Sequence, residues 1–398
     1  MKLLDVTEFY SASGGGVRTY LTEKSRWLAT RSEWEHVVAV PGDRDTETRW
    51  ARSHVYLLRG PRVPASPGYH FLVAARKLAA IVRRERPDVI EVGSPYLAPW
   101  LARRAARGAD VQLVAFVHEN PRLYAAWLPW LVRAPLDATL AAYLRAAHAG
   151  FNLAVAAGVE NLSGFAVSHT AVVPLGVDTD LFSPARRDPA WKSEIGAVQN
   201  GRPQPVVLYV GRLSAEKGLA VALAALGEIH RATGARLVVI GEGHLRPQLE
   251  RAARERPGML SVLPFEPDRA LLARAYASAD LFLAPCPSET FGLAALEAAA
   301  SGLPVVGVAS AGIGRLVADA DWARTYRPGD ADGCARAVVE VLALDRAVAG
   351  QRARAFAAKR YGWDRTFSEL LALYGRLVAG SAARASNRAP SPAGTISV

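Results

Sequence analysis

Val206-Val207-Leu208-Tyr209-Val210-Gly211-Arg212-Leu213-Ser214-Ala215-Glu216-Lys217-Gly218 joins an apolar run to a glycine turn carrying two cations, and a helical segment follows. Five apolar residues in a row are short for a buried helix and suit a strand covered on both faces. The same unit recurs. Val37–Val40, Val89–Val92 and Leu113–Val117 read as strands in the first half, and Leu237–Ile240, Leu281–Ala284 and Val305–Val308 in the second. Helical periods separate them, so each half is predicted to be a doubly wound, Rossmann-like α/β domain with a mostly parallel sheet.

The boundary is expected within Pro174–Gln204, where proline, glycine and charge replace apolar periodicity. The expected division is 1–180, 181–362, a terminal helix over 363–380, and a disordered tail over 381–398. In Trp363–Val378 the residues Phe367, Leu370, Leu371, Tyr374 and Leu377 fall on one apolar helix face.

A chain of 398 residues, 51% hydrophobic and 21% charged, suits two folded domains. Met1–Val6 reads as a first strand rather than a signal peptide, and no run reaches the ~18 apolar residues of a spanning helix. Cys286 and Cys334 have neither metal-ligand nor disulfide spacing. These features predict a cytoplasmic enzyme. The net charge of +11 is spread over both halves without a nucleic-acid-binding motif. Nucleotide phosphates or an anionic lipid surface account for it as well as a nucleic acid would, and no nucleic-acid partner is expected.

Arg212 and Lys217 lie at the carboxyl end of a strand, where two cations suit a diphosphate gaining charge as it leaves. A solvated polar loop would carry the same residues. A second loop, Ser288-Glu289-Thr290-Phe291-Gly292, follows Leu281–Ala284 and opens a helix running to about Ser301. Thr290 is the predicted N-cap, leaving the amides of Phe291, Gly292 and Leu293 to face an anion. Glu297 comes eight residues after Glu289, roughly 12 Å along a helix axis at ~1.5 Å rise per residue. That exceeds the about 5–9.5 Å of a hydrolase carboxylate pair and suits one carboxylate on a sugar and one on a ribose. Glu297 sits in the apolar stretch Leu293–Ala300, where an unpaired carboxylate is costly.

Taken together, these stretches resemble the family 4 retaining glycosyltransferases, which have the GT-B fold of two Rossmann-like domains facing a cleft. The resemblance covers most of the chain. It rests on Gly211-Arg212 to Glu216-Lys217-Gly218, on Glu289 and Glu297 with seven residues between them, starting from Glu-Thr-Phe-Gly-Leu, and on Glu297-Ala298 leading to Ser301-Gly302-Leu303-Pro304-Val305-Val306. Gly176-Val177-Asp178 at the junction and the glycine-rich loop Gly14-Gly15-Gly16 complete it.

The resemblance implies residue roles. Arg212 and Lys217 would hold the leaving diphosphate, Glu289 would contact the transferred sugar and Glu297 the ribose. Gly211, Gly241 and Gly243 would shape the nucleotide pocket, with Phe265 by the base and Thr290, Phe291, Gly292 and Leu293 along the donor. Gly15 and Gly16 would approach from the N-terminal domain. His118, ending the strand Leu113–Val117, matches the family's active-site histidine, and the last helix is expected to pack back on the N-terminal domain. A hexose would pass from a UDP- or GDP-linked donor to an acceptor hydroxyl with retention, giving an α-glycosidic bond. The nucleotide sugar is then a co-substrate; no cofactor and no metal is expected. One departure is Glu266-Pro267 after Phe265, where the family usually has glycine, at the end of the predicted strand Leu260–Phe265. The triplets Asp43-Arg44-Asp45 and Asp330-Ala331-Asp332 are assigned to polar loops rather than to a metal site.

Tyr124–Arg133 contains Trp127 and Trp130 between Arg122 and Arg133, and Arg103, Arg104 and Arg107 close another helix. The pattern fits an interfacial anchor or a packed helix equally. The expectation is peripheral contact with the inner face of the cytoplasmic membrane and a lipid or glycan acceptor. Competing readings are a transferase on a soluble sugar or polyol, a GT-B nucleotide-sugar epimerase, and a dehydrogenase. The last is disfavoured because Arg246 stands where the third glycine after Gly241-Glu242-Gly243 belongs.

Overall fold

The computed structural model describes residues 1–386 apart from 13–14, 32, 65–67, 123–129 and 311. The first half runs β1 (Lys2–Val6), α1 (Gly16–Arg31), β2 (Glu35–Gly42), β3 (Thr46–Trp50), β4 (Ser53–Arg59), α2 (Ala75–Glu85), β5 (Val89–Val92), α3 (Ala98–Ala105), β6 (Gln112–Val117), α4 (Trp130–Ala147), β7 (Leu153–Ala156) and β8 (His169–Val172). These strands form one sheet in the order β3-β4-β2-β1-β5-β6-β7-β8. It is parallel except at the β3–β4 hairpin. The short, polar β3 shows no apolar run in the sequence, which is why only the hydrophobic strands were legible there.

A short connection follows through α5 (Trp191–Glu194) and the ribbon of β9 (Val198–Gln199) and β10 (Arg202–Pro203). The second half runs β11 (Val206–Val210), α6 (Leu219–Thr233), β12 (Arg236–Ile240), α7 (Arg246–Glu255), β13 (Leu260–Leu263), α8 (Arg269–Ser278), β14 (Leu281–Ala284), α9 (Leu293–Ala300), β15 (Val305–Val308), α10 (Ile313–Val317), β16 (Arg324–Tyr326), α11 (Ala331–Leu342) and α12 (Arg346–Arg360). Its sheet is wholly parallel, in the order β13-β12-β11-β14-β15-β16. Both sheets are doubly wound as expected. The strand order reverses at β1/β5 in one and at β11/β14 in the other, and ligands of open α/β sheets bind beyond the carboxyl ends of strands at such points.

The last helix, α13 (Trp363–Ser386), outlasts the expected end near residue 380; residues 381–386 are helical, and the rest of the expected tail lies outside the described residues. It returns to the first half. Phe367 and Tyr374 are buried there, Trp27 donates to Asp364 at 2.9 Å, and the Tyr374 hydroxyl donates to Glu91 on β5 at 2.7 Å. The chain crosses at Gly176, where an added Cβ would sit 2.6 Å from the Trp363 nitrogen, and the Val177 amide donates to the Tyr361 carbonyl. No side chain fits between these backbones, so the junction glycine has a packing cause.

A buried charged cluster, invisible in the sequence, sits under α1. Lys24 Nζ donates to Asp5 on β1 at 2.9 Å and to Glu91 at 2.6 Å. Tyr20 and Tyr374 donate to Glu91, and His36 bonds Asp5 at 2.7 Å and Ser53 at 2.6 Å. Burial raises the Glu91 pKa; for Asp5 it is outweighed by Lys24 and His36, which hold that carboxyl below its usual range. An unpaired buried charge is costly, so this cluster fixes the register of α1 on the sheet.

Candidate active site

Two loops at the β11/β14 switch point supply the charges. After β11 the chain passes Gly211 and Arg212 into a single 3-10 turn, Ala215–Lys217. Gly218 ends that turn at φ +73°, and an added Cβ there would lie 2.1 Å from the Pro285 carbonyl oxygen. Only glycine permits this approach, which brings Lys217 beside the loop after β14. Lys217 Nζ donates to Glu289 Oε2 at 2.9 Å. Glu289 holds the Lys217 pKa above its ordinary value, and Lys217 lowers that of Glu289, so both stay ionised. Arg212 is more exposed, at 53%, and pairs with Glu216 at 3.2 Å.

The helix after this loop begins later than expected. Gly292, at φ 92°, occupies the N-cap of α9 with no side-chain cap, so Leu293 is its first residue. Thr290 is not the cap: its hydroxyl donates to the His118 carbonyl at 2.9 Å, linking the second half to the first. The Gly292 amide is engaged by the Glu289 carboxylate. Glu289 therefore lies on the loop, outside the helix, and the axial spacing reckoned from a continuous helix does not apply. Phe291 is 6% exposed with its ring against Tyr361, so that ring serves packing rather than the cleft. Strand β13 stops at Leu263, leaving Phe265, 39% exposed, on the loop before α8 rather than in a strand.

The glycines after β12 pack on the loop that follows β11. An added Cβ on Gly241 would sit 1.9 Å from the Gly211 carbonyl oxygen, and one on Gly243 would sit 2.3 Å from that of Leu213. Arg246, the residue that breaks the dinucleotide fingerprint, donates to the Gly241 carbonyl and to Glu242. It anchors this loop.

The first half faces these loops. Gly15 has φ +111°, and Gly16 opens α1; an added Cβ on Gly16 would lie 3.2 Å from Leu293 Cδ1. Gly14 lies outside the described residues. His118 follows β6 and packs on Tyr20 and Phe116 with ring centroids 4.8 and 4.6 Å apart. Burial, helped by the Lys24 charge, lowers its pKa to about 3. The imidazole is neutral at physiological pH and, among the described residues, its ring nitrogens make no hydrogen bond within the protein.

Sequence reasoning assigned no role to Glu119, Tyr96, Arg269 or Tyr276, which make contacts beside these residues. Glu119 accepts from the Tyr96 hydroxyl at 2.9 Å; burial raises its pKa, against the fields of Arg212 and Lys217. Glu297 is held by Tyr276 at 3.3 Å and by Arg269 at 3.4 Å. Arg269 and Tyr276, seven residues apart, share one face of α8; that periodicity was the available signal, but nothing local pointed it at Glu297. The two carboxylate triplets have other partners: Asp45 bonds Lys77, and Asp330 caps α11 through the Gly333 amide.

Two doubly wound domains, with ionised side chains at the β11/β14 switch point, are the GT-B architecture. Solved structures of this class superpose over nearly the whole chain. Sucrose-phosphate synthase from Thermosynechococcus elongatus has a TM-score of 0.79 at 19% identity, covering 96% of this chain and 100% of that one. Anabaena HepE, in complex with UDP and glucose, has 0.72 at 19%, covering 94% and 99%. The chain belongs to glycosyltransferase family 4. Residues 14–181 match Glycosyltransferase Family 4 and residues 204–344 match Glycosyl transferases group 1. It is 30% identical over 382 residues, 95% of this chain and 97% of the other, to the GDP-mannose-dependent alpha-(1-6)-phosphatidylinositol dimannoside mannosyltransferase of Mycobacterium tuberculosis. It is 30% identical over 392 residues, 92% of each chain, to the D-inositol 3-phosphate glycosyltransferase of Xylanimonas cellulosilytica. This protein is a glycosyltransferase.

Proposed function

We propose that the protein is a retaining, metal-independent hexosyltransferase that uses a UDP- or GDP-linked sugar and a membrane lipid or lipid-linked glycan as acceptor. The observation that carries this reading is the ionised Lys217–Glu289 pair on a loop whose Thr290 bonds the carbonyl of the neutral His118. Lys217 and Arg212 hold the diphosphate, Glu289 contacts the sugar and Glu297 the ribose hydroxyls. The bond from the anomeric carbon to the phosphate oxygen breaks with both electrons leaving on the diphosphate. The acceptor oxygen bonds the anomeric carbon on the same face, and its proton passes to the departing phosphate oxygen. Fixed cations beside that oxygen stabilise the charge as it grows, which is where most of the rate arises in such chemistry.

The lipid acceptor is supported by the first half's surface. Tyr96, Leu97 and Trp100 beside α3 and Leu131 and Val132 on α4 are exposed, with the Arg103 guanidinium 5.3 Å from the Trp100 ring and Arg133 adjoining. Tyr96 connects this patch to Glu119. Residues 123–129 of the expected interfacial stretch lie outside the described residues. No described helix is long and apolar enough to cross a membrane; the proposed contact is a peripheral one, on the inner face of the cytoplasmic membrane. The Mycobacterium tuberculosis relative, named for a phosphatidylinositol dimannoside, supports the same acceptor class. The relatives named for D-inositol 3-phosphate favour a second reading, a soluble polyol acceptor.

A thermal-shift panel of UDP, GDP and ADP with their sugars identifies the donor; mass spectrometry of the product formed from lipid extract identifies the acceptor. Turnover is expected to survive EDTA, and the product's anomeric proton coupling should report an α-linkage. Stabilisation by no nucleotide, or a β-linked product, overturns the corresponding part of the reading.

A further inference from the structure

Arg269 is the first residue of α8, directly after Asp268, whose carboxylate caps that helix by accepting from the amides of Ala270 and Leu271. Its guanidinium reaches both halves of the molecule. Nη1 donates to Thr19 Oγ1 on α1 at 3.2 Å, across 250 residues of sequence, and Nη2 donates to Glu297 on α9 at 3.4 Å. The group lies 5.1 Å from the Phe182 ring centroid, and its Nε is buried without a hydrogen-bond partner among the described residues. An arginine fork that spans two elements in fixed geometry is a positioning device, since its planar donors cannot adapt as an ammonium can.

Its two contacts lead to two parts of the donor site. Among the described residues Glu297 receives two long bonds, from Arg269 and Tyr276, whereas a carboxylate offers about four acceptor positions. The remaining positions suit a vicinal diol. Thr19 lies one turn into α1, whose first residue, Gly16, meets Leu293 across the cleft. We infer that Arg269 is a positioning residue for donor binding: it aims Glu297 at the ribose hydroxyls and ties that carboxylate to α1, so that nucleoside seating and approach of the glycine-rich end of α1 occur together. This inference rests on the assignment of Glu297 to the ribose.

Electrostatics agree with the geometry. Burial raises the Glu297 pKa, and Arg269 is the principal group opposing it; Tyr276 on α8 also favours ionisation, while Glu23 on α1 disfavours it. Without Arg269 the carboxyl takes up a proton more readily and loses acceptor capacity. Nucleotide affinity then rises with pH as Glu297 ionises and falls as pH drops. In the intact protein Arg269 opposes the rise in the Glu297 pKa, so the response is shallower than without it.

The test is calorimetric titration of UDP and of GDP into the full chain between pH 6 and 8, with circular dichroism as the folding control. Arg269→Gln should weaken binding by tenfold or more and make it improve more steeply with rising pH than in the wild type, while Arg269→Lys should restore part of the affinity and bring the pH response back toward that of the wild type. Thr19→Val, which cuts only the link to α1, should leave Kd within about twofold and lower kcat severalfold. Wild-type affinity and pH response in Arg269→Gln would overturn the inference, provided Glu297→Gln weakens binding. Unchanged binding in Glu297→Gln, or binding of neither nucleotide by the wild type, would overturn the ribose assignment and the inference with it.

Discussion

Two of the protein's ion-paired lysines, Lys24 and Lys217, do opposite work. Lys24 is 1% exposed, lies beneath α1 and is shared by the two carboxylates of Asp5 and Glu91, with Tyr20 below it at 4.4 Å. Lys217 is 22% exposed, lies on a loop at a switch point and, among the described residues, hydrogen-bonds the single carboxylate of Glu289. An ammonium has three donors. Lys24 directs its donors at charges within the protein, while Lys217 faces the cleft with donors to spare. A buried cation shared by two carboxylates stabilises the fold; a partly exposed one on a single carboxylate at a sheet's switch point is available to a ligand.

Substitutions that separate stability from turnover can break this contrast. Lys217→Ala should lower kcat by about 10²–10³-fold, the effect of removing one fixed stabiliser of a developing negative charge, with a melting temperature close to wild type. Wild-type turnover in both Lys217→Ala and Arg212→Ala would sink the site assignment. Lys24→Met should do the reverse. It strands two buried carboxylates, and breaking such a pair costs about 3–5 kcal/mol, read as a loss of roughly 10 °C or more in melting temperature.

Smaller changes sharpen it. Tyr374→Phe removes one hydroxyl from Glu91 and should cost about 1.5–3 kcal/mol, measured by urea unfolding, because the lost hydrogen bond is to an ionised or partly ionised group. Thr290→Val removes the contact from α9's loop to the His118 carbonyl; a loss of about 1 kcal/mol corresponds to roughly fivefold in kcat/KM. The pH dependence is subtler still. His118 has a folded pKa of about 3, far below an unfolded histidine near 6.5. Unfolding therefore takes up a proton between these values, so this contribution is fully present above pH ~6.5 and is lost as pH falls toward 3. His118→Gln should narrow the gap in melting temperature between pH 7 and pH 5. An unchanged gap would show that His118 is not held neutral.

What the sequence determined by itself is local. Apolar runs of four or five residues between helical periods dictated two doubly wound parallel sheets, because covering both faces of a strand demands that composition. The loop residues Arg212, Lys217 and Glu289 were legible because each lies a short distance from a strand end, and Glu297 because a lone carboxylate stands out in the apolar stretch Leu293–Ala300. The limits of local reading were equally physical. Thr290 has the chemistry of a helix cap, yet its hydroxyl found a carbonyl 172 residues away. Polar β3 and the extension of α13 to Ser386 lack the periodicity that marks an element.

Only the tertiary structure decided which charges are spent inside the fold and which face the cleft. Lys24 meets Glu91 across 67 residues, Tyr374 meets Glu91 across 283, and Arg269 meets Thr19 across 250. A lysine, an arginine or a glutamate looks the same in the chain whether its partner is a buried carboxylate or solvent. Its role follows from desolvation and pairing, and both are set by elements brought together from opposite ends of the sequence.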